Sequence, residues 1–146
     1  MNAIEMKAKL RIAFIAEYFA GGFYLKLAEG FENQPEIAER LRKTAGDEIR
    51  HGGYFNRCYE EQFGKPLGFR KQLIEAGKVV GTINKYIPTK LFSAQKRLDV
   101  ITKGEAAAVN ALEKELANTA QNPYLAVVER ILPDERTHAE RYHLAV

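Results

Sequence analysis

Two stretches of this chain carry the same pattern of metal-binding residue types. Asp47-Glu48-Ile49-Arg50-His51 and Asp134-Glu135-Arg136-Thr137-His138 both read Asp-Glu-x-x-His, in a chain that holds three Asp and three His. By the composition of the chain, a given His has this pair of acids ahead of it roughly two times in a thousand, so a double occurrence is not accidental. On a helix, residues three apart lie one turn apart on nearly the same face, so Glu48 and His51 can aim a carboxylate oxygen and an imidazole nitrogen at one point. That pairing is half of a site for a divalent or trivalent cation. Glu17 stands 31 residues before Glu48, and Glu105 stands 30 before Glu135. The chain therefore reads as two similar halves. One Glu from each of two helices and a Glu-x-x-His from each of two others is the ligand recipe of a two-metal four-helix bundle. The candidate set is Glu17, Glu48, His51, Glu105, Glu135 and His138.

The elements that must position these six follow from apolar periodicity. A first helix is predicted over Ala3 to Phe31, with Leu10, Ala13, Phe14, Ala20, Gly21, Tyr24, Leu27, Ala28 and Phe31 on one stripe and Glu17 in its middle. A carboxylate there must be paired, protonated or metal-bound, because an unpaired buried charge is costly. Gly21-Gly22 is expected to loosen this helix beside the site. Asn33-Gln34-Pro35-Glu36 opens a second helix, which runs to Phe63 and stops at Gly64-Lys65-Pro66. Glu48 and His51 fall on its inward stripe between Leu41 and Phe55, and Gly52-Gly53 leaves room for a ligand or substrate. Thr89 to Asn118 reads as a further helix, with Glu105 interrupting Leu91, Ala94, Leu98, Ile101, Ala108, Leu112 and Leu116. Glu113 and Glu115 fall off that seam and are expected in solvent. Asn122-Pro123 opens the last helix, with Tyr124, Val128, Ile131, Glu135, His138 and Tyr142 inward. Pro133 should kink or restart it. Glu140 and His143 have the same spacing, but Glu140 lies about 140° around the helix from Glu135 and the pair is set aside.

Between the two halves, residues 65–103 carry nine basic and two acidic side chains, while the rest of the chain is net acidic. Within it Phe69, Leu73, Ala76, Val80, Ile83 and Ile87 recur at alternating steps of four and three, the mark of an amphipathic helix with a basic opposite side. Such a helix either rests on an anionic membrane surface and gates entry of an apolar substrate, or packs on the bundle as a crossover with a solvated basic face. Gly77 and Gly81 would let another helix approach closely in both cases.

A chain of 146 residues suits a single domain, 1–146, with one core. The lone Cys58 excludes an internal disulfide and a cysteine-based zinc or rubredoxin site, and reads as a small buried hydrophobe. No run of about 18 apolar residues spans a membrane, and the first residues lack the apolar core of a signal peptide. The expected compartment is cytoplasmic, with a peripheral position on the inner membrane if the basic segment touches lipid. A net charge of +3 gives no case for nucleic-acid binding.

The six positions resemble those of the ferritin-like di-iron carboxylate proteins, namely the bacterioferritins, rubrerythrins and demethoxyubiquinone hydroxylases, over Glu17 to His138. The resemblance implies an all-α, ferritin-like four-helix bundle with a long amphipathic crossover between its second and third helices. It implies two iron ions, or a manganese–iron pair, with Glu48 and Glu135 bridging, Glu17 and Glu105 terminal, and one His on each ion. Asp47 and Asp134 either bond the far nitrogen of a ligand His or form surface ion pairs. The reaction implied is redox activation of O2 or peroxide. One form is a monooxygenase hydroxylating a membrane-borne quinone-like ring. The alternative is iron oxidation or peroxide scavenging, against which stands the long stretch from His51 to Glu105. Tyr24, Tyr54 and Tyr142 are candidates for pocket lining or electron transfer beside a packing role. A homodimer is compatible with the resemblance.

Overall fold

The computed structural model describes residues 1–87 and 93–141, and among them the chain is all-α. Five helices follow in order: α1 (Ala3–Glu29), α2 (Pro35–Phe63), α3 (Arg70–Lys85), α4 (Ala94–Asn118) and α5 (Pro123–Arg141). Pro88, Thr89 and Leu91, expected at the start of the third bundle helix, lie outside the described residues, as do Tyr142 and the His143 of the rejected pair. α4 begins later than expected, at Ala94, where the Ser93 hydroxyl accepts from Lys96 N at 3.3 Å. α1 ends two residues early, at Glu29, yet Phe31 still buries its ring beyond the cap.

Local chemistry sets the other ends. Asn2 and Glu5 form a reciprocal capping box on α1. Pro35 starts α2, with Gln34 as a cap that makes no side-chain bond, and Gly64 ends it in the left-handed region at φ 85°. Asn122 Oδ1 accepts from Leu125 N at 3.0 Å to open α5. Pro133 is carried inside α5, which runs unbroken through it.

α1 pairs with α2 and α4 with α5, the short loops making each pair antiparallel, while α2 meets α5 across the middle. α1 and α4 scarcely approach one another. Two apolar clusters fill the interior. One gathers Leu10, Phe14, Phe55, Leu125 and Val128, the other Leu27, Leu41, Ala45 and Leu98. The candidate residues form the polar layer between them.

Two pairs of glycines serve packing, which corrects what was expected of them. α1 is not widened at Gly21-Gly22. A Cβ on Gly22 would stand 2.0 Å from the Ile74 carbonyl oxygen, and one on Gly21 would stand 2.6 Å from the Ile49 side chain, so these glycines admit α3 and α2. The room beside Gly52 belongs to Tyr18, whose ring would lie 2.7 Å from an added Cβ.

α3 follows the same logic. Cβ atoms on Gly77 and Gly81 would clash with the α1 backbone at Phe19 and Phe23, and α3 lies on α1 through this glycine face. Its apolar stripe is only partly used. Leu73 and Ile74 pack on the core cluster, whereas Ala76, Val80, Ile83 and Ile87 remain exposed. α3 therefore packs on the bundle as a crossover, with only part of its apolar stripe seated. The glycine face allows backbone contact, and that turns the branched side chains outward.

Candidate metal centre

Each helix of the bundle brings its part of the six to one point. Glu48, His51, Glu105, Glu135 and His138 are buried, and both imidazoles are fully so, while Glu17 is half-buried. Glu17, Glu48, His51 and Glu135 offer ligand atoms within 4.8 Å of one another, as do Glu48, Glu105, Glu135 and His138. Glu48 and Glu135 belong to both groups, so they stand between the two positions where ions could sit. Glu17 and His51 serve one position, Glu105 and His138 the other.

The imidazoles face this centre through Nδ1. His51 Nδ1 is 2.8 Å from Glu135 Oε1 and 3.7 Å from Glu17 Oε2. His138 Nδ1 is 3.2 Å from Glu48 Oε1 and 3.8 Å from Glu135 Oε2. The two rings stack with centroids 6.0 Å apart. Their outer nitrogens meet the aspartates in a crossed arrangement. His51 Nε2 is 2.9 Å from Asp134 Oδ2, and His138 Nε2 is 2.9 Å from Asp47 Oδ2. Each Asp thus fixes the ring carried by the opposite half of the chain.

The residues fit a metal pair by their own orphaned atoms. Glu17 Oε2, His51 Nδ1, Glu135 Oε1 and His138 Nδ1 are buried without a hydrogen-bond partner. Buried polar atoms ordinarily find partners, and cations at the two positions would supply them. Mixed carboxylate and imidazole donors suit iron or manganese better than magnesium or calcium.

Crowding like charges into a dry interior moves the protons. Burial pushes the Glu48 carboxyl up to about 8, with Glu17 adding to the shift. Burial and the nearby Glu48 push Glu105 up to about 7. Burial works against charge on the imidazoles, but the carboxylates outweigh it. His51 rises to about 11 beside Glu135, Glu17 and Asp134, and His138 to about 9 beside Glu48 and Asp47. Burial raises Asp47 and Asp134, yet His138, His51 and Arg50 bring both below the usual range. Without metal the centre is a protonated network.

Three contributions were not legible in the sequence. Arg50 donates to Asp47 Oδ1 at 3.0 Å and to Asp134 Oδ2 at 2.9 Å, clamping the two orienting acids together. Its place three residues after Asp47 was the available signal. The Tyr24 hydroxyl donates to Glu105 Oε1. Glu115, expected in solvent, is half-buried, paired with Lys9 and accepting from the Tyr124 hydroxyl at 3.3 Å. Tyr54 lies on the outer side of His51, ring centroids 6.3 Å apart.

A cavity of about 470 Å³ opens onto the carboxylates between α1, α3 and α4. Glu17, Glu48, Glu105 and Glu135 line its inner wall, and Ala20, Phe23, Val80, Val100 and Ile101 are among its apolar walls.

A helical bundle with two sharing groups of carboxylates and imidazoles defines the di-iron carboxylate class. The chain belongs to the rubrerythrin family, whose model matches residues 9–146. Its carboxylate and histidine cluster can hold metal, as expected of a family that binds two irons. The chain is also similar to a protein described as probable cytochrome P450 313a5 of Drosophila melanogaster, 32% identical over 132 residues that cover 88% of this chain and 26% of that one. It thus spans about a quarter of that relative's length. No solved structure matches it. No helix of the described residues is long and apolar enough to cross a membrane.

Proposed function

We propose that this protein is a di-iron oxidoreductase that activates O2 or peroxide and oxidises an apolar molecule. The six residues Glu17, Glu48, His51, Glu105, Glu135 and His138 would hold the ions, with Glu48 and Glu135 shared by the two positions. The observation that carries the reading is the apolar cavity against Glu17, Glu48, Glu105 and Glu135. A protein that only oxidises and stores iron needs a polar path for a hydrated cation. Here the wall across from the carboxylates is made of alanine, valine, isoleucine and phenylalanine side chains.

The bound iron pair would supply the redox equivalents that protein side chains lack. The chain's own residues do the rest. Asp47 and Asp134 hold the imidazoles in one tautomer with Nδ1 free for metal. Tyr24 keeps Glu105 turned inward by donating to it. The apolar cavity walls would present a C–H bond to the carboxylate face. Hydroxylation turns that C–H into C–OH, releases the second oxygen of O2 as water, and draws two electrons from an external reductant such as a reduced flavoprotein or iron–sulfur protein and two protons from solvent.

A quinone-like ring is the substrate suggested by the hydroxylase resemblance. The exposed Val79 and Ile83 of α3 and Tyr86 just past its end, beside Lys71 and Lys78, support contact with an anionic membrane surface from which such a molecule could enter. Flotation with anionic vesicles tests that contact, and partitioning unchanged by Lys71→Glu with Lys78→Glu would remove it. Family membership favours a second reading, two-electron reduction of peroxide to water, for which no groove is needed. The iron-loaded protein with isotopically labelled O2 and a quinone-like acceptor separates the two. Label in the product supports oxygenation, whereas rapid peroxide turnover with no labelled product favours scavenging.

A further inference from the structure

α1 has no continuous polar face. Apolar side chains stand on every side of it, and a helix of that kind is normally covered all round. α3 covers its outer face only in part. A Cβ on Gly22 would meet the Ile74 carbonyl, and Gly81 lies against the Lys26 stem, so α3 sits over that end of the face. Ile4 stands eighteen residues before Gly22, and Ala8 eighteen before Lys26. Eighteen residues make five whole turns, so the same face continues back to the start of the helix. There, among the described residues, nothing covers it. Exposure rises with distance from α3, from 41% at Ile15 to 66% at Ile12 and 82% at Ile4, with Ala8 exposed between the last two.

The charged side chains of this half of α1 turn to their own chain. Lys7 lies over the Phe63 ring, 5.4 Å from its centre, and Arg11 over Tyr59 at 5.9 Å. Lys9 pairs with Glu115, and Glu5 closes the capping box with Asn2. The strip between them, Ile4, Ala8, Ile12 and Ile15, carries no charge. Depletion of charge at the centre of an apolar patch is the compositional mark of a protein interface.

We infer that two copies of this chain pair through this strip, α1 against α1 and antiparallel. A step in the surface selects this occupant over lipid. α3 stands proud of α1 by a helix spacing of about 8–10 Å, so a flat bilayer touching Val79 and Ile83 on α3 would not reach Ile4 or Ile12. A helix fits such a step. The strip is also its own complement. Antiparallel pairing about a two-fold axis near Leu10 sets Ile4 against the partner's Ile15, and Ala8 against the partner's Ile12. In that register the partner's α1 begins where α3 starts to cover the face, and neither obstructs the other. The strip and its rim offer on the order of 600 Å² per chain, or about 1,200 Å² for the pair, the lower end of a specific interface. Ile12 and Ala16 also line the cavity of about 320 Å³ that reaches Glu17 and Glu135 from the Lys9 side. The partner helix would cover that mouth and leave the larger cavity beside Val80 as the open one.

The inference goes beyond the proposed chemistry and needs no metal, so sedimentation of the metal-free full chain tests it by itself. A dimer should form at micromolar concentration, and Ala8→Arg or Ile12→Lys should each weaken it at least about tenfold. Both positions are exposed, and circular dichroism should show both variants as helical as the parent chain. In a Cys58→Ala background, a mixture of Ile4→Cys and Ile15→Cys chains should oxidise to a covalent dimer. Neither variant should do so alone, because each position lies on the order of 17 Å from its own copy along an antiparallel pair. A monomer throughout the micromolar range, a dimer indifferent to both charge substitutions, or ready crosslinking of Ile4→Cys alone would overturn the inference. So would a monomer whose attachment to lipid vesicles is lost with Ile12→Lys, since the strip would then be a lipid contact.

Discussion

His138 Nε2 lies 2.9 Å from Asp47 Oδ2, and this pair ties the imidazole of one half of the chain to the acid of the other. The mirror pair, His51 with Asp134, repeats the crossing at 2.9 Å. Both bonds bridge α2 and α5, the two helices that carry the Asp-Glu-x-x-His stretches. The crossing means that neither half-site can be oriented without the other, and Arg50 holds the two acids side by side.

Asp47→Asn should therefore weaken metal binding at the His138 position, on the opposite half-site, by about ten- to a hundredfold. The His51 position should keep its affinity. Cobalt titration followed by absorbance should turn from one tight two-ion phase into two separated phases, and Asp134→Asn should give the mirror result. A uniform loss at both positions would mean that the acids act on folding and not on individual rings.

Tyr24→Phe removes the donor that stabilises the ionised Glu105 carboxyl, already raised to about 7 by burial and Glu48. The carboxyl should titrate higher still, so the pH midpoint of metal uptake should move upward. The metal-free protein should lose about 1 kcal/mol. Metal titrations at several pH values and thermal unfolding of the same variant measure both effects.

The metal-free protein should become less stable as pH rises from about 6 to 9. Glu48 and Glu105, at about 8 and 7, are raised above their unfolded values near 4.5, so their ionisation on the way up opposes folding. His51 and His138, raised to about 11 and 9, contribute stability that is full below their unfolded value of 6.5 and is lost as pH climbs through the folded values. All four groups bind more protons when folded, so the slope has one sign. Asp47 and Asp134 are lowered, and their contribution fades only in acid. Loading metal should release protons and reverse the trend, because the ligands must give up those protons to bind. Thermal unfolding across this range, with and without ferrous iron, reads both slopes.

Gly22→Ala should cost about 3 kcal/mol or detach α3, because its Cβ would stand 2.0 Å from a backbone oxygen that cannot swing away. Gly104→Ala, with open space around the new methyl, should gain about 0.5–1 kcal/mol. Thermal unfolding gives both energies, and amide exchange in α3 shows whether that helix has come free.

The helices and their approximate ends were legible because capping residues, prolines and apolar spacing act within a few residues of one another. α2 and α5 follow that pattern closely. The later start of α4 depended on the Ser93 cap, and the burial of Glu115 depended on Lys9 and Tyr124, residues remote in sequence or on another helix. The glycine pairs could be seen, but not their purpose. Whether Gly22 relieves strain or admits a neighbour depends on where Ile74 lies, and spacing along one helix carries no such information.

By itself the sequence determined which side chains share a helical face, since 3.6 residues per turn puts Glu48 with His51 and Glu135 with His138 however the helices later meet. Only the tertiary structure decided which carboxylates stand between the two ion positions, that each Asp serves the opposite ring, and that α1 and α4 stand apart. Those outcomes depend on how far helices separate and rotate against one another. That is set by the sum of many side-chain and backbone contacts, such as the glycine face that draws α3 onto α1 and leaves its branched residues outside.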